Sequence, residues 1–285
     1  MRTGRCLGAV VGVVAALSLA ACGGGAGSSK SAGIFSYDAS KPLDFKDLRV
    51  VNHGYPIKVH DISLVSATGG RVHAYLIVPP GKGPFPAAIW AHGSGVTRSD
   101  LLVQATWFAA RGAVGLVPDD PFERDPSLLT ASLPQLRLAV IQEIVDLRRM
   151  VDLLQSLPYV DGKRIAFTGL SLGARYGAFL AGAEPRIKAF DLQSGRGGSF
   201  ASDLNELTWI HRSHADFLFQ DALHDELIPR AALLSLEQAA PKPKSIRWYN
   251  AGHGLNTAAL HDQFRWLAGE LGLHGPVVPG ALAGP

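Results

Sequence analysis

The sequence predicts an α/β chain, with a mainly parallel eight-stranded sheet, helices on both faces and a small or absent lid. Three observations carry this. Short apolar, β-branched runs alternate with longer runs of helical period. The alternation starts only after two extended segments that read as an antiparallel hairpin. The candidate reactive residues all fall just beyond strand-like runs, where an open parallel sheet gathers its functional loops.

The chain has 285 residues, and its first 40 are set apart by composition. Met1 to Arg5 is a short basic start and Leu7 to Ala21 is an almost wholly apolar run, so residues 1–21 read as a signal peptide. That run is shorter than the roughly 20 residues a membrane-crossing helix needs. Its end, Leu19-Ala20-Ala21-Cys22, resembles a bacterial lipobox. The resemblance implies cleavage before Cys22, lipid on that residue, and a protein tethered to a membrane outside the cytoplasm. Residues 22–40 are then the lipidated cysteine and a flexible linker, because Gly23 to Gly33 is a Gly/Ser/Ala stretch without apolar period. Residues 41–275 form one domain, and 276–285 are a flexible tail.

Losing the signal peptide removes Cys6, which leaves Cys22 as the one cysteine of the mature chain and excludes an internal disulfide or a cysteine metal site. The 10 histidines show no His-Glu-x-x-His or other compact ligand spacing, so neither metal nor other cofactor is expected. The formal charge of +3 falls to about +1 once Arg2 and Arg5 leave, and no dense basic run remains. Nucleic acid is not an expected partner.

Within the domain, Val59 to Ser66 and Arg71 to Val78 flank Ala67-Thr68-Gly69-Gly70 and form the expected hairpin. Ala87 to Ala91, the helical stretch Leu101 to Arg111 and Ala113 to Val117 form a βαβ unit. Leu136 to Leu157 carries Leu138, Ile141, Val145, Leu147, Val151 and Leu154 at helical spacing and should be the longest helix, closed by Pro158. Arg164 to Thr168, Ile187 to Leu192, Ala215 to Phe219 and Ser245 to Tyr249 are the later strands, and Thr257 to Leu271 is the terminal helix.

At the end of the strand Arg164 to Thr168, Gly169-Leu170-Ser171-Leu172-Gly173 reads as a sharp strand-to-helix turn that exposes the Ser171 hydroxyl. A serine hydroxyl needs a base to take its proton and an acid to orient that base. His253, in the loop Ala251-Gly252-His253-Gly254 after the last strand, is the candidate base; His261 lies in a helical pattern and His274 in the Gly/Pro-rich tail. Asp191, Asp221 and Asp225 all lie near strand ends. Asp225 is chosen because Asp225-Glu226-Leu227-Ile228-Pro229 begins a turn into the next helix, with Asp221 as the alternative. The order along the chain is Ser, Asp, His.

These residues resemble the α/β-hydrolase superfamily, with likeness to esterases of the dienelactone hydrolase type, over about residues 57–272. The likeness rests on Trp90-Ala91-His92-Gly93-Ser94-Gly95, the Gly169–Gly173 turn, Asp225–Pro229 and Gly252-His253-Gly254. Dienelactone hydrolases proper carry a cysteine nucleophile where this chain has Ser171, so their substrate is not carried over. The resemblance implies that the backbone N–H groups of Leu172 and Ser94 form an oxyanion hole, with His92 shaping that loop. It implies a serine hydrolase acting on a small-molecule carboxylic ester. Peptidase or thioesterase chemistry on the same triad, or a non-catalytic surface-binding lipoprotein, are the alternatives. The polar loop Asp119 to Asp125 should overhang the pocket, where it either contacts a polar substrate or is simply solvated. The short span Gly195 to His214 implies an open pocket, over which Trp209 and Ile210 could form a small apolar cover.

Overall fold

The computed structural model describes residues 33–51, 57–201 and 203–273. The expected signal peptide, Cys22, the start of the linker and the tail therefore lie outside the described residues. Among the described residues no helix is long and apolar enough to cross a membrane.

In chain order the elements are β1 (Lys46–Val51), β2 (Val59–Val65), β3 (Arg71–Ile77), β4 (Phe85–Ala91), α1 (Leu102–Ala109), β5 (Val114–Pro118), α2 (Pro121–Arg124), α3 (Leu133–Ser156), β6 (Val160–Leu170), α4 (Leu172–Ala183), β7 (Ile187–Gln193), β8 (Ser199–Ala201), β9 (Leu204–Asn205), α5 (Glu206–Ile210), β10 (Asp216–Ala222), α6 (Arg230–Ala239), β11 (Lys244–Tyr249) and α7 (Thr257–Glu270). The main sheet runs β1-β2-β3-β5-β4-β6-β7-β10-β11. Its first three strands pair antiparallel, β3 pairs antiparallel with β5, and the pairs from β5 through β4, β6, β7 and β10 to β11 are parallel. The sheet thus has nine strands, one more than the eight expected from sequence. The addition is β1, which extends the hairpin at the sheet edge.

Side chains alternate between two layers of core, as the two-residue period of a strand requires. Ile89, Phe167 and Phe190 face the layer formed by α3, α4, α5 and α6, while Ala88, Trp90 and Ala166 face α1 and α7. Each large side chain so buried contributes about 1.5–3 kcal/mol. The long α3 starts where Gln135 Oε1 accepts from both Ser132 N–H (2.9 Å) and Ser132 O–H (2.7 Å), which ties the capping residue to the first turn.

The expected linker boundary at residue 40 shifts. Gly33–Phe35 forms a short helical turn, and the buried Phe35 ring packs 5.8 Å from Phe179 and 4.5 Å from Trp209. Buried Arg148 donates to Phe35 O at 2.7 Å, and Arg149 donates to Lys41 O and Pro42 O at 3.2 and 2.8 Å. Residues 33–42 are therefore docked on α3, where apolar burial and backbone pairing together outweigh the entropy of a free segment.

From β4 the chain goes out to β5 on one side and then crosses to β6 on the other. The direction of winding reverses around β4, and such a reversal opens a crevice at the carboxyl ends of the strands. His92–Gly95 after β4 and Ser171 after β6 both lie there.

Candidate active site

Ser171 sits at the junction of β6 and α4 with φ 56° and ψ −109°. A positive φ is strained for a residue with a Cβ, by about 1–3 kcal/mol, and persists only when its surroundings hold it. Here Ser171 N–H donates to Gln193 O on β7 (2.8 Å), and Arg175 N–H donates back to Ser171 O (3.1 Å). The two flanking glycines are required by close approach. A Cβ on Gly169 would lie 2.5 Å from the Gly173 carbonyl carbon, and one on Gly173 would lie 2.7 Å from the Ala91 carbonyl carbon. Strand, helix and β4 loop thus meet backbone to backbone, with Ser171 at the tip.

His253 Nδ1 lies 2.9 and 3.1 Å from the two oxygens of Asp225. A carboxylate only accepts, so Nδ1 carries a hydrogen and Nε2 is the ring nitrogen that Asp225 leaves unengaged. The Asp225 side chain is only 2% exposed, and its Oδ1 also accepts from Leu227 N–H and Ile228 N–H at 2.9 and 2.8 Å. This ties the acid to the first turn leading toward α6. Asp221 faces Glu237 instead of His253: burial first, then that neighbour, pushes its carboxyl well above the usual range, with Asp225 and Asp191 close enough to add to the effect. Asp191 is buried beneath the site; its Oδ2 accepts from Thr168, Gln193 and Gln263 at 2.7, 2.8 and 2.8 Å, yet burial still pushes it up to about 7.

The loop after β4 leans on the serine. A Cβ on Gly93 would lie 3.3 Å from Ser171 Cβ and 4.0 Å from its Oγ. Ser94 follows as an exposed residue, and Leu172, the first residue of α4, is buried. Buried His92 donates from Nδ1 to Gly93 O (2.9 Å), while its Nε2 faces Glu123 Oε2 at 3.3 Å. Burial lowers the His92 pKa, but Glu123, the Gly93 carbonyl and Asp120 outweigh it and leave it raised.

Much of the loop Asp119 to Asp125 is taken up inside the protein rather than solvated; Asp125 is exposed, and Pro121, Arg124 and Asp125 line a second cavity that has none of Ser171, Asp225 and His253 in its wall. Asp119 and Asp120 are buried, Asp120 Oδ1 caps α2 by accepting from Glu123 N–H (2.8 Å), and Arg124 pairs with Asp119, Asp146 and Glu143 at 2.8, 3.0 and 3.7 Å. Trp209 and Ile210, the expected cover, are instead buried in the core against α4 and Phe35. Among its described residues the span after β7 holds the β8–β9 ribbon and α5. A cavity of about 360 Å³ opens beside the site, between Leu170 before the serine and Leu255 after the histidine, with Trp90, Gln104 and Gln193 in its wall.

Two residues of this site escape a reading of sequence alone. Ser194, just past β7, has φ 47°; its N–H donates to Gln220 O (2.9 Å) and its O–H to His253 O (2.9 Å). Glu226 accepts from His253 N–H at 3.2 Å. Only the strand-end position of Ser194 hinted at a part for it. Among the described residues no cluster of three or more His, Cys, Asp or Glu side chains could hold a metal ion.

No protein-family model matches the chain. It is 30% identical over 138 residues to esterase FrsA of Salmonella newport (strain SL254), which covers 47% of this chain and 31% of that protein. Thus the chain spans about a third of the length of that relative. Among solved structures it is similar to the acetyl xylan esterase from Paenibacillus sp. R4, with a TM-score of 0.70 at 20% identity over 83% of this chain and 91% of that one. It is also similar to the dienelactone hydrolase from Anabaena variabilis ATCC 29413, with a TM-score of 0.58 at 21% identity over 76% and 97%. The antiparallel start, the reversal around β4 and these likenesses agree on one architecture, and the chain has the α/β-hydrolase fold.

Proposed function

We propose that the protein is a serine hydrolase that cleaves a carboxylic ester through an acyl-enzyme intermediate, held at an extracytoplasmic membrane surface by lipid on Cys22. The observation that carries the reading is Ser171 in strained geometry at a glycine-flanked turn, with the oxyanion loop packed on it and an Asp225–His253 pair whose Nε2 is unencumbered. Ser171 Oγ attacks the ester carbonyl while His253 Nε2 takes its proton. Leu172 N–H and Ser94 N–H hold the oxyanion of the tetrahedral adduct. Its collapse breaks the ester C–O bond, His253 returns the proton to the leaving alcohol, and water then releases the acid by the same steps in reverse order. The likeness to esterase FrsA and to acetyl xylan esterases supports ester over other acyl compounds, and the small β8–β9 and α5 span supports an open site.

The test is hydrolysis of p-nitrophenyl esters from acetate to long acyl chains by residues 22–285 carrying Cys22→Ser, with Ser171→Ala as control. Turnover and labelling by a serine-reactive phosphonate are expected, both lost in Ser171→Ala; labelling that persists in that variant refutes the nucleophile. In cells the full chain is expected in the membrane fraction, with Cys22→Ala releasing it.

A further inference from the structure

Asp221, the acid that does not reach His253, belongs to a pair of its own that the chemistry above does not use. It lies near the end of β10, in register with Trp248 of β11, and its carboxyl meets that of Glu237 on α6. Both acids are buried, and Asp221 Oδ1 and Glu237 Oε1 accept from no donor among the described residues. Two ionised carboxylates in contact repel each other and have no hydrogen to share. One proton between them lets a carboxyl donate to a carboxylate. The surrounding groups decide which acid keeps it. Burial, then Glu237, then the acidic Asp225 on the following turn and Asp191 on β7, hold the proton on Asp221. Burial raises the Glu237 carboxyl as well, but the bond to Asp221, the Trp248 ring N–H, Arg230 at the start of α6 and Lys244 at the start of β11 all favour its charge. Asp221 is therefore the donor and Glu237 the acceptor, two neighbouring acids driven apart by their surroundings.

The turn between these two acids is the one that carries Asp225. From Leu223 to Arg230 every residue except Asp225 and Ile228 is exposed, so little packing holds the turn in place. Its start is tied to the strand beside it, where Leu223 N–H donates to Tyr249 O (2.8 Å) and His224 N–H to Ala251 O (3.1 Å). Its far end runs into α6, which buries only Leu233, Leu236 and Glu237. A bond from Asp221 to Glu237 thus spans the turn and joins the strand before it to the helix after it. We propose that Asp221 and Glu237 are a positioning pair, whose shared proton fastens α6 to the end of β10 and so holds Asp225 against the His253 ring. This role rests on the serine-hydrolase reading and gives that reading a pH limit. A carboxyl whose pKa is raised by folding stabilises the fold at low pH and loses that contribution as pH rises through the raised value. Loss of the shared proton leaves two like charges in contact behind Asp225, so the alignment of acid and base fails on the alkaline side.

The test combines two readouts on the Cys22→Ser protein, with Asp221→Asn and Glu237→Met as variants. Asn keeps an N–H donor toward Glu237 that no pH removes, whereas Met fills the space and leaves Asp221 without its acceptor. Carboxyl ¹³C NMR needs no substrate: the Asp221 signal, identified by its loss in Asp221→Asn, is expected from a protonated acid at pH 7 and is expected to titrate above about pH 8. The ¹⁵N signals of the His253 ring are expected to shift with it, and to lose that step in Asp221→Asn. In p-nitrophenyl acetate turnover, corrected with Ser171→Ala, kcat is expected to fall about tenfold from pH 8 to pH 10 in the unaltered protein and less than about threefold in Asp221→Asn. At pH 7.5, Asp221→Asn is expected within about threefold of the unaltered kcat and Glu237→Met about tenfold below it. A merely structural pair would lower the Tm of Glu237→Met and leave the alkaline profile of Asp221→Asn like that of the unaltered protein. Should Glu237→Met not fold, Asp221→Asn still decides. An Asp221 ionised at pH 7, an alkaline fall that Asp221→Asn shares or the unaltered protein lacks, or His253 signals that ignore the Asp221 titration each overturns the pair's role. An unaltered protein without turnover at any pH instead refutes the esterase reading, and the Asp221 and His253 signals then decide the pair by themselves.

Discussion

Gly173→Ala probes the assembly of the site most directly, because it adds one methyl group and no chemistry. That methyl would lie 2.7 Å from the Ala91 carbonyl carbon and 2.9 Å from His92 O, and closer still to Ala91 O. These are inside ordinary contact by about 1 Å, and every atom met is backbone, so no side chain can swing away. The start of α4 must move off the end of β4. Such overpacking costs about 1–3 kcal/mol, which for a domain of this size is a fall in Tm of roughly 2–10 °C. The larger effect is on catalysis. Moving α4 moves Ser171 and the Leu172 N–H away from the Gly93–Ser94 loop, and a misplacement of about 1 Å costs about 10²-fold in rate. The assay is kcat for p-nitrophenyl acetate with active-site titration, beside a thermal melt. Gly269→Ala is the control: a Cβ there meets nothing within 4 Å, and in a helix it should stabilise by about 0.5–1 kcal/mol with kcat unchanged. Unchanged kcat and Tm in Gly173→Ala would refute the claim that the elbow and the β4 loop are locked backbone to backbone.

Two further outcomes follow from the acids. Asp225→Asn keeps an acceptor for the Leu227 and Ile228 N–H groups but no longer fixes the hydrogen on His253 Nδ1, so kcat should fall about 10³–10⁴-fold with fold intact; a loss under tenfold in steady-state turnover would argue against the assignment. Asp191, raised to about 7 by burial, binds a proton in the folded chain that the unfolded chain releases near pH 4. Its contribution is therefore full at low pH and is lost as pH rises toward 7, on the order of 1–3 kcal/mol between pH 5 and 8. Asp191→Asn keeps an acceptor for Thr168, Gln193 and Gln263 and should remove that part of the pH dependence, read as the difference between urea unfolding at pH 5 and pH 8.

Local pattern made much of this fold readable from sequence. The hairpin, the βαβ unit and the long α3 each announce themselves by period and punctuation, and the structure has β2, β3, β4, α1, β5 and α3 within a few residues of the expected bounds. The glycine-flanked serine was legible through its context, because it falls where a strand-like run hands over to a helical one, with His92–Gly95, an acid and His253 after other strand-like runs. What escaped is non-local. β1 is exposed along most of its length, so no burial pattern marks it, and its strand character comes from pairing with β2. Phe35 is one aromatic after a run of small residues, and its docking depends on Arg148, 113 positions away. The charges of residues 119–124 look like a solvated loop until α3 supplies Glu143 and Asp146 to Arg124. Of three aspartates near strand ends, the turn into the next helix favoured Asp225 with Asp221 left as the alternative, and it is geometry that puts Asp225 beside His253 and Asp221 beside Glu237.

Ser194 works as a stitch. Through Gln193 O, Gln220 O and His253 O, Gln193 at the end of β7 and Ser194 just past it bind the backbone of the Ser171 turn, the neighbouring strand β10 and the His253 loop into one piece. Everything that follows, from Gly195 to His214, leaves the sheet after that stitch is complete and returns to it at β10. That excursion packs back on α4 through Trp209 and Ile210 and so braces the helix behind Ser171, while the bonds of Gln193 and Ser194 tie the Ser171 turn to the His253 loop directly. A displacement at the end of β7 would therefore reach Ser171 and His253 together, because both hang on two neighbouring residues of one strand end.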